Sequence, residues 1–357
     1  MKSLIISLIF LSLLNYSFAQ QQTDTSLFEP VADTLTNIRF FDKEEPLKVT
    51  LKYDITSFIK HKSKGEYLPA ELAIYTSDND SVIKNIRLKA RGNFRRSHCF
   101  FPPIYLNFKT DPIDKTELEG IKKIKIVTHC NMSQAYKSYI IREYLAYEIF
   151  NILTPNSFRV RLLNVNYVDT GKKKRNYKQI GFLIEPIDLI TRRLNAVEVN
   201  ENIIVGKNVL PVEGTLVALY QYFIANTDWR YKGGHNMKYV KSMETLTNNV
   251  IPLPYDFDHA GFVNTSYAIP QDWSGASTIT DRDYLGYCQT NDETYHRAIN
   301  LFNEKKPEVI AAIESCELLD KRDKKEVLTF VNEFYKMAEY PEYFIRTLKN
   351  ECRDLDF

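Results

Sequence analysis

Between residues 34 and 127 the chain is written largely in a period of two, and this alternation limits its possible folds more than any other feature. Leu47 to Tyr53 reads Leu-Lys-Val-Thr-Leu-Lys-Tyr, Ile83 to Ala90 and Ile104 to Phe108 keep the same apolar-polar pattern, and Ile121 to Val127 follows it approximately. Successive side chains of a strand point to opposite faces, so these runs predict a half-buried antiparallel sheet. The period then changes. Tyr136, Ile140, Tyr144, Tyr147 and Phe150 recur at helical spacing between Ser133 and Leu153, ahead of Pro155, and predict one long helix. Two more strands, Val160 to Val168 and Gln179 to Ile184, flank the basic run Lys172-Lys173-Lys174-Arg175. That run reads as a solvated hairpin tip.

Beyond Pro186 the character shifts. Leu216 to Ala225 predicts a strongly apolar helix that empties into Asn226-Thr227-Asp228-Trp229, and Ile251 to Phe257 predicts a short strand ending in carboxylates. Thr294 to Cys352 reads as helical, with breaks near Pro307 and Pro341. The order implies an α+β protein of two lobes: a β-rich N-terminal lobe with one helix over residues 20–190, and a mostly helical C-terminal lobe over 191–357.

The first residues predict export. Lys2, the apolar stretch Leu4 to Leu14 and the small residues Ser17 and Ala19 form a signal peptide over residues 1–19, with the mature chain starting at Gln20 in a periplasmic or extracellular setting. No later window reaches the roughly 18 uncharged residues of a membrane helix, so no stable membrane insertion is expected. Five cysteines in an exported chain raise the question of disulfides. Cys99 and Cys130 each follow a histidine, His98 and His129, which leaves a bridge and a metal site both open. In extended chain, however, each pair presents only one ligand to a given side. Cys316 and Cys352 are a second candidate pair, with Cys288 left over. Lysine plus arginine (47) nearly balances aspartate plus glutamate (45), so overall charge gives no footprint for nucleic acid.

Glycine-loop, GxGxxG, His-Glu-x-x-His and Gly-x-Ser-x-Gly signatures are absent. The densest polar constellation lies between Asn226 and Asp258. It holds Asp228 just past an apolar helix, then His235-Asn236, then Tyr255-Asp256-Phe257-Asp258 at a strand end. Phosphoryl transfer uses these residue types: one carboxylate to orient the attacking hydroxyl, and an amide oxygen with a second carboxylate to hold Mg²⁺. On a strand Asp256 and Asp258 would face the same side and concentrate negative charge that a cation relieves.

These segments resemble the CotH-type kinases, an atypical protein-kinase-like family, and more distantly the HipA-like kinases. The resemblance runs from about Leu47 to about Gly261. Its elements are Arg91-Gly92-Asn93, Gly181-Phe182-Leu183-Ile184-Glu185-Pro186-Ile187-Asp188, Asn226-Thr227-Asp228-Trp229, His235-Asn236 and Pro254-Tyr255-Asp256-Phe257-Asp258. It implies a bilobal protein-kinase-like fold, with ATP and Mg²⁺ or Mn²⁺ as cofactors and a protein hydroxyl as acceptor. Asp228 is then the catalytic aspartate, and Asn236, Asp256 and Asp258 face the metal. Arg91, His235 and Glu185 fall on the nucleotide side, Glu185 where the adenine sits between lobes. Phe100-Phe101-Pro102-Pro103 stands where the family has a lysine-rich turn, so Lys109 is the substitute phosphate-contacting lysine, with Arg95 and Arg96 able to share that role. A pseudokinase that binds without turnover is the alternative.

Overall fold

The alternation closes on itself. The computed structural model describes residues 38–41, 45–244 and 248–355, all within the unit Thr34–Phe357; the expected signal peptide and the start at Gln20 lie outside the described residues. Strands β1 (Leu47–Tyr53), β2 (Leu68–Tyr75), β3 (Ser81–Ala90), β4 (Ile104–Asn107), β5 (Lys123–Val127), β6 (Val160–Asp169) and β7 (Tyr177–Ile184) form a closed barrel in the order β1-β2-β3-β4-β5-β7-β6. The expected half-buried antiparallel sheet is antiparallel except at one seam, where β1 and β6 pair in parallel, Leu47 opposite Leu163 through Tyr53 opposite Asp169, and close the barrel. Closure removes the two edges that an open sheet would expose. Strand β2 escapes a period-two reading because Leu72, Ala73 and Ile74 are all buried.

Inward residues such as Leu51, Leu88, Ile104, Leu106, Ile126 and Leu163 fill the barrel. At one end, strands β5, β7 and β6 bury their outer face as well. Val127, Phe182, Ile184, Val160 and Leu162 point outward into a second apolar cluster shared with helix α3 (Gln134–Leu153) and with the C-terminal half. Between Ile140 and Phe150, α3 is buried nearly all round, as a helix lodged between sheet and helices must be. Two short helices, α1 (Ile55–His61) and α2 (Phe94–His98), decorate the barrel.

After β7 come α4 (Ile187–Arg193), β8 (Ala196–Val199), α5 (Pro211–Phe223), β9 (Met237–Ser242) and β10 (Ile251–Pro254), then α6 (Glu293–Ser315), α7 (Lys321–Ala338) and α8 (Pro341–Glu351). Strands β10, β9 and β8 make a small antiparallel sheet. The break expected at Pro307 is absent: Pro307 lies inside α6, and the chain turns instead between Cys316 and the capping Asp320. The strand expected to reach Phe257 stops at Pro254.

Cys99 and Cys130 form a disulfide, Cα to Cα 4.6 Å, which removes both sulfurs from any metal site. The expected Cys316–Cys352 pair is replaced by Cys288–Cys352, and Cys316 is free. The Arg353 amide bonds Gly286 O at 2.8 Å and the Cys288 amide bonds Arg353 O at 3.0 Å, laying the tail beside residues 286–288. Among the described residues no helix is long and apolar enough to cross a membrane.

Candidate active site

Helix α5 ends at Phe223 with Ile224 as its cap, and Ala225 turns the chain with φ of 49°. The buried Asn226 then shapes the loop: its Nδ2 donates to Gln221 Oε1 (3.0 Å) and its Oδ1 accepts from the Asp228 amide (3.0 Å). This is the local side-chain turn that asparagine favours, and it fixes the direction of Asp228. Trp229, fully buried, donates its indole N–H to Asn226 O at 3.1 Å and anchors the next residue.

Every oxygen of the Asp228 carboxylate is engaged. Oδ1 lies 2.7 Å from His235 Nε2 and accepts from Gln271 Nε2 at 2.8 Å, while Oδ2 accepts from Asn236 Nδ2 at 2.9 Å. The hairpin of β9 and β10 sets Met237 opposite Pro254, so Asn236 O accepts from the Tyr255 amide at 3.1 Å and Asp256 follows directly. Asp256 turns with φ of 67° and donates its amide to Tyr147 Oη on α3 at 2.8 Å. Ala225, Asn236 and Asp256 thus all sit in left-handed backbone, a conformation that costs roughly 1 kcal/mol or more for a non-glycine residue. Strained backbone gathered at one place is a mark of function. Gly261 lets the segment close down: a Cβ there would lie 2.4 Å from Ile279 O and 2.9 Å from Ala225 Cβ.

Asp256 and Asp258 do not share a strand face, because the strand has ended. They converge nonetheless. Oxygens of Glu143, Asp256 and Asp258 lie within 4.8 Å of one another. Arg95, buried on α2, donates to Glu143 Oε2 at 3.0 Å and to Thr128 O at 3.3 Å, with its Nε 3.8 Å from Asp258 Oδ2. One guanidinium faces three carboxyl groups, so negative charge is in excess. Burial pushes Glu143 up to about 8, and burial followed by the Asp256 charge pushes Asp258 up as well. Glu143 Oε1 is buried without a hydrogen-bond partner. That orphan oxygen and the excess charge fit a hard divalent cation with oxygen ligands.

Cations stand opposite. Lys125 points out of the barrel from β5, half-buried, with its ammonium 4.7 Å from the Tyr255 ring centroid and no carboxylate of the described residues within ion-pair distance. Burial, then the neighbouring Arg91 guanidinium, pushes Lys125 down to about 7 against the pull of Asp256. Arg91 lies over the Tyr105 ring at 5.5 Å. An arginine and a lysine that has no carboxylate partner, beside an acidic cluster, are the charge pattern that an anion carrying its own cation would complement.

The expected residues therefore divide. Asp228, His235 and Asn236 bond one another, Asp256 follows through the hairpin, and Asp258 joins the acidic group. Arg91 reaches the same end of the barrel. Lys109 does not: it is exposed in the turn after β4, at the far end of that strand from Pro103, whose carbonyl accepts from Arg91 N. Lys125, rather than Lys109, is the lysine that neighbours Arg91 and the Tyr255 ring. Glu185 is fully buried with its carboxylate bonded to Arg159 (3.0 Å) and Arg193 (3.0 Å), which commits its side chain to an ion-pair network. Arg95 points inward to carboxylates. Lys125 reads in sequence as the polar beat of Lys-Ile-Lys-Ile-Val, but Glu143 carried a signal: it occupies the apolar stripe of α3 between Ile140 and Tyr147. A pocket of about 620 Å³ between Thr50, Asn164, Asn166 and Lys178 contains none of these groups.

No family model matches the chain, and no curated protein matches it. Among solved structures it is similar to the Helicobacter pylori proinflammatory kinase CtkA, at a TM-score of 0.38 and 10% identity over 87% of this chain and 99% of that one. A likeness so slight establishes neither fold nor chemistry.

Proposed function

We propose that this chain is an exported, kinase-type phosphotransferase related to the CotH-type kinases, moving a phosphoryl group from ATP to a protein hydroxyl with Mg²⁺ or Mn²⁺. The observation that carries the reading is one convergence: Asp228 bonded to Asn236, Asn236 bonded through its carbonyl to Tyr255 just before Asp256, and the Lys125 ammonium over that same Tyr255 ring. The barrel with α3 serves as the N-terminal lobe and the chain after about residue 190 as the C-terminal lobe. Glu143, Asp256, Asp258 and Asn236 would hold the cation, whose contribution is to neutralise phosphate charge. Lys125 and Arg91 bind the phosphates. Asp228 orients the acceptor hydroxyl and takes its proton as the oxygen bonds to the γ-phosphorus and the bond to the β-phosphate oxygen breaks. Asn236 and His235 hold the Asp228 carboxylate for that task.

A pseudokinase is the second reading, and one contact favours it. Asp228 Oδ1 already takes hydrogen from Gln271 and lies against His235, so an acceptor must displace a donor before it can be oriented. Thermal-shift titration with ATP and MnCl₂, paired with transfer of labelled γ-phosphate, separates the two, because a ligand of the native state raises its stability. Asp256→Asn should lose the metal-dependent shift. Asp228→Asn should keep it and lose transfer. A shift without transfer in the unmutated protein makes it a binding protein, and no shift with ATP removes the nucleotide reading altogether.

A further inference from the structure

Two residues beyond Asp228, the Arg230 guanidinium lies 4.3 Å above the Trp273 ring centroid. It forms no ion pair or side-chain hydrogen bond with any described residue, and its Nε is buried without a partner. The stack is held from below: Trp273 donates its indole N–H to Thr227 O at 3.0 Å, and the Gln271 amide donates to Thr227 Oγ1 at 3.1 Å. The Trp273 ring also meets the His235 ring edge-on at 5.4 Å, and His235 contacts Asp228 Oδ1. Arg230, Trp273, His235 and Asp228 are thus one run of contacts. Stacking on an aromatic face leaves the in-plane N–H groups of arginine free for the forked contact that carboxylates and phosphates accept.

Gln271 marks the other end of this run. Its Nε2 donates to Asp228 Oδ1, the position from which an acceptor hydroxyl would donate. An acceptor chain that displaces this neutral amide and continues past Trp273 brings a neighbouring side chain to Arg230. Each contact along the run is short, 4.3 Å from Arg230 to Trp273, 5.4 Å from Trp273 to His235 and 2.7 Å from His235 to Asp228, and an extended peptide advances about 3.3 Å per residue, so the anion belongs within about four residues of the hydroxyl.

Resting on the phosphotransferase reading above, we infer that the acceptor is an acidic peptide, in which Arg230 stacked on Trp273 reads a carboxylate or phosphate a few residues from the hydroxyl. Arg230 is a specificity residue; it takes no part in proton or phosphoryl transfer.

The test uses the full chain with ATP and MnCl₂ and serine-centred fluorescent peptides carrying Glu, phosphoserine or Gln at each of the four positions on either side. Binding and phosphate transfer are both read. The acidic peptides should bind about tenfold more tightly than their Gln twins at one or two positions, the effect of one charge-assisted contact. Arg230→Gln should erase that preference, Arg230→Lys should keep part of it, and the ATP-dependent thermal shift serves as the control for folding of both. Preference for phosphoserine over Glu assigns the anion as a phosphate, and the reverse assigns a carboxylate. Equal binding of the twins, no binding of any peptide, or a preference that survives Arg230→Gln overturns the inference. Acid-selective binding without transfer leaves the subsite standing and refutes only the phosphotransferase reading.

Discussion

Replacing Lys125 with arginine should flatten the pH dependence of nucleotide binding. In the native protein the Lys125 ammonium is pushed down to about 7, by burial first and by Arg91 second. It is therefore charged in about half the molecules at pH 7 and in about one in eleven at pH 8. If the phosphates need that charge, affinity falls by about tenfold for each pH unit above 7, or about 1.4 kcal/mol per unit. Arginine stays charged throughout. Calorimetric titration with ATP in the absence of metal, from pH 6 to 9, gives the ratio of variant to native affinity and cancels the titration of ATP itself. The ratio should be near its floor at pH 6 and rise about a hundredfold by pH 9. The stability of the ligand-free fold has the opposite sign. Unfolded Lys125 keeps its proton to about 10.4, so between about 7 and 10.4 the unfolded state binds more protons and this group makes the fold more stable as pH rises. A ratio constant across the range, or a Lys125→Gln variant that binds ATP as well as the native protein, would refute the reasoning.

Three more perturbations reach the same region by other routes. Tyr147→Phe removes the acceptor for the Asp256 amide and should cost about 1 kcal/mol in urea unfolding, with weaker Mn²⁺-dependent ATP binding if the turn at Asp256 relaxes. Gly261→Ala should cost about 1 to 3 kcal/mol, since its new methyl would press on Ile279 O and Ala225; an unchanged midpoint would show that the packing there yields freely. Loss of the Cys99–Cys130 bridge, which closes a 31-residue separation, should lower stability by about 3 to 4 kcal/mol, measured as the difference between the native protein and a Cys99→Ser, Cys130→Ser variant, both without reductant so that Cys288–Cys352 stays intact.

Most of the strands and helices could be read from the chain because their periods are clean, as in Leu47 to Tyr53 and in the stripe of α3. Closure of the barrel could not, since the parallel pairing of β1 with β6 joins segments more than a hundred residues apart and leaves no local trace. The polar constellation was legible because Asp228, Asn236 and Asp256 are close in sequence and the turn chemistry of Asn226 is local. Lys125 was not, because a lysine on a strand looks solvated until the tertiary fold covers it, and Glu143 showed only as a carboxylate within the apolar stripe of α3, with nothing local to tie it to Asp256 and Asp258. Pro307 misled for a related reason: a proline usually ends a helix, yet packing of Val309 and Ile313 carries α6 through it.

Where the helical half covers them, around Val127, Phe182, Ile184, Val160 and Leu162, strands β5, β7 and β6 have no solvent side, and this makes the register there unforgiving. Leu183 belongs to the barrel interior while Phe182 and Ile184 belong to the helical side. A slip of β7 by one residue would exchange these memberships, pushing two large side chains into the barrel and withdrawing one from it. Few misaligned pairings can be nearly as good as the native one, so the chain has little opportunity to settle into a half-correct sheet. The same wall joins the fates of both cores. Amides of β7 from Gly181 to Ile184 should exchange with solvent only when the whole unit opens, because neither core can loosen without exposing the segment it shares with the other.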